Sequence, residues 1–232
     1  MLTMKALIAT GIGSAALALS AFAAAPAQAS PYSLNTMSSN MMSAAQALSL
    51  GVAGNHIRDF RYLEGTQESP DDFWLCDLDG EKEVEVDGSS EVYVVTYASE
   101  KSRVERVAEQ ELYAFVSEAH ARKAMKAIRK AAKQCAGTFT VQEEGVTFSQ
   151  KVSNGTGKAS DGSGFTWITH EATASAANAN LSDNDYNTFR RVGQFVQVLS
   201  IETAGSKAPP ISSTQVKSLN NLTGTLGAAW AW

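Results

Sequence analysis

ELYAFVSEAHARKAMKAIRKAAKQC, residues 111–135, is a strand that runs straight into a helix. Leu112-Tyr-Ala-Phe-Val116 closes an alternating, β-branched and aromatic run. Ser117 then has the right chemistry for an N-cap, and Glu118 suits the positive end of a first turn. Ala121, Ala124, Met125, Ile128, Ala131, Ala132 and Cys135 recur at helical spacing and form one apolar stripe. Arg122, Lys123, Lys126, Arg129, Lys130 and Lys133 take the opposite side. Gly137 follows as a stop. The helix therefore covers about 117–136 and buries Cys135 with its stripe.

Upstream, EVYVVTYA at 91–98 is a strong strand, and alternation resumes at Val104. Val84 and Val86 alternate with acids, and Asp87-Gly88 supplies turn chemistry, so a hairpin to residues 91–98 is expected. Residues 60–63 and 73–76 read as further strands around a Gly, Ser and Pro loop. MMSAAQALSLG at 41–51 is a short helix stopped by Gly51, with Met41 and Met42 as core filler. Downstream, Phe139–Val141 and the run 146–152 flank Glu143-Glu144-Gly145, a second expected hairpin. Residues 154–164 are Gly- and Ser-rich and read as a loop. FTWITHEA at 165–172 and the run 188–203 are the last strands, the latter turning at Val192-Gly193. After Pro209-Pro210, Ser212 or Ser213 can cap a final helix with Val216, Leu219, Leu222 and Leu226 on one face. Strands that come in hairpins point to an α+β fold. The expectation is an antiparallel sheet with the long helix and the C-terminal helix packed on one face.

The first 29 residues have a different character. One early positive charge, an apolar run over 6–24 and the small-x-small site Ala27-Gln28-Ala29 make a cleavable secretory signal. The mature chain is expected from Ser30, with 30–40 a flexible leader, 41–232 a single domain, and no membrane span after cleavage. The expected location is secreted, outside the cell. Two cysteines, Cys76 and Cys135, in an exported chain suggest a disulfide. It would close a loop of roughly 60 residues, worth about 4 kcal/mol on the chain-entropy view. The net charge of -5 argues against a nucleic-acid binder. Charge is segregated: residues 59–91 hold twelve acids, and residues 101–133 hold nine Lys and Arg. These are read as solvated surfaces of separate elements.

No stretch specifies a reaction. His56, His120 and His170 are scattered, so no metal site is expected. Asp183-Asn184-Asp185-Tyr186-Asn187 begins like a calcium loop but has Thr188 where the glycine should stand, and is read as an Asx-rich turn. Gly155-Thr-Gly157-Lys158 lacks the leading glycine of a phosphate loop. No activated nucleophile stands out, so no catalytic residue and no cofactor is assigned. Trp74, Tyr97, Trp167 and Tyr186 could instead line a cleft, with His170 and Glu171 as its polar groups. The candidate ligand-binding residues are thus Trp74, Tyr97, Trp167, His170 and Glu171.

Several segments together resemble the PknH-like extracellular domain, a family of actinobacterial sensor-type domains. They are Ser43-Ala-Ala-Gln-Ala-Leu48, Trp74-Leu-Cys76, the strand-to-helix passage Glu111–Ala124 ending at Cys135, and Arg190-Arg-Val-Gly-Gln-Phe-Val-Gln-Val-Leu-Ser200. The resemblance spans most of residues 40–226. It implies a non-catalytic extracellular domain with a cleft for a small-molecule or envelope ligand. The kinase-linked version has two disulfides, whereas this chain can form one. The expectation is a secreted, monomeric, non-enzymatic sensor-like binding domain. Two alternatives are a secreted envelope hydrolase and an interaction protein that adheres through its basic helix face.

Overall fold

The computed structural model describes residues 39–52, 57–64, 72–73, 84–85, 89–143, 146–176 and 179–230, all within the unit Leu34–Trp232. The expected signal 1–29, His56, Trp74, Cys76 and Trp232 lie outside the described residues. The elements in chain order are α1 (Ala44–Ser49), β1 (Ile57–Glu64), β2 (Asp72–Phe73), β3 (Val84–Glu85), β4 (Ser89–Lys101), β5 (Val104–Phe115), α2 (Glu118–Cys135), β6 (Gly137–Glu143), β7 (Val146–Lys158), β8 (Gly164–Ala176), β9 (Ala179–Val192), β10 (Phe195–Ser206) and α3 (Ser213–Ala228). Eight strands form one sheet in the order β1-β4-β5-β10-β9-β8-β7-β6, antiparallel throughout. β4–β5 and the meander β6 to β10 are hairpin-linked. The join between the two halves is β5 against β10, a pairing of distant segments. The α+β class and the hairpin-built antiparallel sheet are as the sequence implies.

α2 begins where its chemistry says it should. Ser117 accepts from the His120 N–H as N-cap, and Glu118 sits in the first turn. Ala121, Ala124, Met125, Ile128, Ala132 and Cys135 are buried, and Ala131 is packed beside them. They meet Val92, Val94, Tyr113, Phe115, Val152, Ile168, Phe189, Val196 and Val198 from β4, β5, β7, β8, β9 and β10. Each of the eleven fully or nearly buried aliphatic and aromatic side chains of this kind is worth about 1.5–3 kcal/mol against exposure, which makes this interface the main anchor of α2.

The two long helices do not share a face, contrary to the sequence expectation. Successive strand residues point to opposite sides of a sheet. On β9, Phe189 packs under α2, while its neighbour Arg190 bonds to α3. On β10, Val196 and Val198 face α2, while Gln197 donates to the Thr223 carbonyl of α3. α2 thus lies on one side, and α3 with α1 on the other. The physical reason is that β10 is apolar on both faces, with Val196 and Val198 on one and Phe195, Leu199 and Ile201 on the other, so each side needs a cover. α1 is tied to the α3 side: the Met42 N–H donates to Gln110 Oε1 at 2.6 Å, and the Tyr97 hydroxyl donates to the Met42 carbonyl at 2.9 Å. Met41 and Met42 are core filler, as expected.

Three local expectations are corrected. β3 pairs with β2 in a separate ladder, Asp72 opposite Glu85 and Phe73 opposite Val84, and not with β4 as expected; Asp87-Gly88 lies outside the described residues. β4 has β1 and β5 as neighbours instead, which leaves it no free edge. Asp183–Asn187 is the middle of β9, not an Asx-rich turn. Its Asn184 and Tyr186 point inward and are buried, and the half-buried acids alternate with them. Residues 154–158 continue β7, leaving only 159–163 as a loop.

That last correction has a clear cause. Gly155 stands opposite Trp167, and Gly157 opposite Phe165. A Cβ on Gly155 would come within 3.0 Å of Trp167 Cζ2, Cε2 and Nε1, and one on Gly157 within 3.0 Å of the Phe165 ring. The aromatic rings of β8 therefore lie across the glycines of β7. Cross-strand rings cover glycine backbone that would otherwise be a weak point in the ladder.

Candidate ligand-binding surface

The proposed cleft residues separate in the fold. Tyr97 is buried under α1, with its hydroxyl committed to Met42. It lies four strands from Trp167, roughly 19 Å at about 4.8 Å per strand. His170 and Glu171 are neighbours on β8 and so point to opposite faces. His170 faces the α2 side and sits 3.4 Å from Asp185 of β9. Glu171 faces the α3 side, more than half exposed, and pairs with Lys151 of β7 at 3.6 Å. Trp74 is outside the described residues.

What stays together is Trp167, Tyr186 and Glu171. Trp167 is half-exposed and stacks on Tyr186 at 6.1 Å between centroids, with planes 19° apart. The Tyr186 hydroxyl donates to Asn220 Oδ1 of α3 at 3.1 Å. Burial pushes the Tyr186 hydroxyl above the usual phenol range, and the bond to Asn220 partly offsets this. α3 packs on β9 and β10, so Tyr186 is roofed and Trp167 lies at the edge of that roof.

The strongest polar cluster was missed in the sequence. Arg190 is buried on β9 beneath α3. Its Nη1 donates to the carbonyls of Thr223 at 2.7 Å and Gly224 at 3.1 Å, and its Nη2 donates to Asp161 at 2.6 Å. A Cβ on Gly227 would collide with the guanidinium, and one on Gly224 with Ser160. Thr188 and Thr223 share a buried hydroxyl contact at 2.8 Å. Asp161 accepts the Ser163 hydroxyl and N–H as well. Ser163, and then the Arg190 guanidinium, hold its carboxyl below the usual range against the opposing effect of desolvation. This cluster fastens the 159–163 loop and α3 to the sheet. A signal for it existed: Gly224-x-x-Gly227 lies on the helix face that also carries Thr223, a small-residue surface that lets a bulky cation beneath.

The α2 side carries a different feature. Arg122, Lys123, Lys126, Arg129, Lys130 and Lys133 are all exposed. Arg122 pairs with Glu118, and Arg129 donates to Thr166. Among the described residues no group of three or more His, Cys, Asp or Glu is placed to hold a metal ion, and no helix is long and apolar enough to cross a membrane. Cys135 is buried at the end of α2 and is not a free thiol. Trp230 is buried, with its ring centroid 6.1 Å from that of Phe195.

No protein-family model matches the chain, and no curated protein matches it in sequence. Its fold is similar to the crystal structure of the extracellular domain of PknH from Mycobacterium tuberculosis, with a TM-score of 0.51 and 15% identity. The likeness covers 87% of this chain and 95% of that one. It shows the shared fold and carries no residue roles.

Proposed function

We propose that this chain is an exported, non-catalytic, sensor-like domain that binds a ligand of the cell envelope or medium outside the cell. The observation that carries this reading is the fold likeness to an extracellular domain, which takes in nearly the whole of both chains. Three features support it. Residues 1–29 have the makeup of a cleavable signal. The chain has two cysteines, Cys76 and Cys135, and an even count in an exported chain suits one disulfide between them. The half-exposed Trp167 surface offers an apolar wall beside polar groups, the makeup of a binding site. The test has two arms. Intact-mass analysis of culture supernatant should find a chain starting at Ser30 with one disulfide. An envelope extract should raise the melting temperature of the purified protein without being chemically altered, because ligand binding to the native state stabilises it. A cytosolic chain with Met1 retained, or an extract component turned over by the protein, overturns the reading.

A second reading rests on the exposed cations of α2. They suit adhesion to anionic envelope polymers. Such binding should weaken steeply between low and physiological salt, where screening shortens to about 8 Å. Lys126→Glu with Lys130→Glu should abolish it, and unchanged retention on an anionic polymer column would count against it.

A further inference from the structure

The α3-side face of β7 and β8 continues past Trp167 as a ladder of cross-strand pairs. Gly155 faces Trp167, Ser153 faces Thr169, Lys151 faces Glu171, Ser149 faces Thr173, and Thr147 faces Ser175. Directly opposed residues of an antiparallel pair share a face, so all five rungs look the same way. None of these ten residues is buried. The strip therefore starts on an indole, runs through hydroxyl pairs with one ion pair among them, and extends roughly 27 Å at about 6.8 Å per rung. α3 packs on β9 and β10, and on the strip beside it Lys151, Glu171, Thr173 and Ser175 are exposed while the other six residues are half-buried.

This chemistry selects a class of ligand. A pyranose has one face of C–H groups and a rim of hydroxyls. The indole face carries the negative side of a quadrupole and attracts polarised C–H groups. Gly155 lets the Trp167 ring lie across β7, because a side chain there would lift it. Tyr186 braces the ring from β9, held in turn by Asn220. Lys151 and Glu171, 3.6 Å apart, offer a donor and an acceptor to vicinal hydroxyls, and charge-assisted bonds are the stronger kind. The Ser and Thr hydroxyls donate and accept, as sugar hydroxyls do. A single-stranded nucleic acid would also stack on the ring, but it needs a cationic track. The ladder's one cation, Lys151, is paired with an acid.

We propose that the β7–β8 face is an oligosaccharide-binding strip, with Trp167 as the stacking platform for one sugar ring and Lys151, Glu171 and the Ser and Thr rungs as hydrogen-bonding groups along the chain. The proposal rests on the ligand-binding reading above and names the substrate class for its surface. An open strip of this kind gives weak binding, with a Kd of about 1 mM or a little below.

The experiment uses isotope-labelled mature protein and three linear probes: cellotetraose, chitotetraose and an α-linked mannotetraose. At least one should shift the Trp167 indole N–H resonance saturably, and its ring C–H protons should receive saturation from the protein. The Trp167 resonance is identified by its loss in Trp167→Tyr. Binding should fall at least tenfold in Trp167→Ala, be partly retained in Trp167→Tyr, and weaken in Glu171→Gln. If Trp167→Ala does not fold, Trp167→Tyr, Lys151→Ala and Thr169→Val carry the same comparison. The proposal is overturned if no probe moves the Trp167 resonance at about 10 mM, well above the Kd range it predicts. It is also overturned if a probe binds equally to all variants. An envelope extract that still raises the melting temperature of Trp167→Tyr and Glu171→Gln by the wild-type amount would leave ligand binding standing and remove this strip as its site.

Discussion

Gly155 should tolerate no side chain. Gly155→Ala puts a methyl group into the Trp167 ring, and the ring must swing out of its place across β7. A loss of about 1–3 kcal/mol in chemical denaturation is expected, the range for overpacking. The double variant Gly155→Ala, Trp167→Ala should recover part of it. Arg190 is the other position where one residue decides much. Arg190→Ala strands the Asp161 carboxylate and removes two bonds to α3 carbonyls. Breaking a buried charged pair by removing one partner costs about 3–5 kcal/mol; Asp161 is a third exposed, which puts the expected loss at the lower end. The same contact predicts a pH effect. The Asp161 carboxyl is depressed in the folded state, chiefly by Ser163. Its contribution is therefore complete above the unfolded value near 3.8 and is lost as pH falls through the lower folded value. Asp161→Asn should flatten the acid limb of stability against pH, and an unchanged limb would show that other carboxylates govern it. Glycines 155 and 157 show the limit of composition as a guide. They sit symmetrically about the 160–162 turn from Trp167 and Phe165, and that pairing was written in the spacing. Counting Gly and Ser hid it.

At the scale of elements, ends were more legible than partners. Ser117, Ser43 and Ser212 all cap helices, the last two in boxes with Gln46 and Gln215. Ser212→Ala should cost about 1 kcal/mol, read as a lower melting temperature, with Ser212→Asp restoring it. The turn between β4 and β5 was not legible. Ser102 and Arg103 both take positive φ, +55° and +62°, without a glycine. Ser102→Asn with Arg103→Gly should stabilise the hairpin by about 0.5–1 kcal/mol, since that pair suits the primed turns of tight hairpins. Destabilisation instead would mean that the Ser102 or Arg103 side chain does something the backbone does not reveal. α3 illustrates a subtler miss. Periodicity placed Val216 and Leu222 on its inner face, yet both are only half-buried, while Thr223, Gly224 and Gly227 are buried. The helix turns its small residues inward because Arg190 occupies the space beneath.

For the molecule as a whole, the two halves of the sheet meet only where β10 returns to β5. Such non-local pairing must close a long chain loop first, so refolding should take milliseconds to seconds in stopped-flow measurements. A disulfide from Cys76 to Cys135 would tether the end of α2. Its reduction should cost about 2–5 kcal/mol, with a matching fall in melting temperature. The α+β class, the extent of α2, its buried stripe and the hairpins around 143–145 and 192–194 were determined by the sequence itself. They depend on contacts between near neighbours, on the 3.6 and 2.0 periods and on capping chemistry, all local properties. Only the tertiary structure decided which partner each strand took, which helix covered which face, and which side chains met. It carried β3 away from β4, put α2 and α3 on opposite faces, parted His170 from Glu171, and set Trp167 beside a strip of hydroxyls. Each of these outcomes depends on pairings between residues far apart in the chain. Such pairings are chosen by the burial of the whole sheet, so no single stretch of sequence holds them.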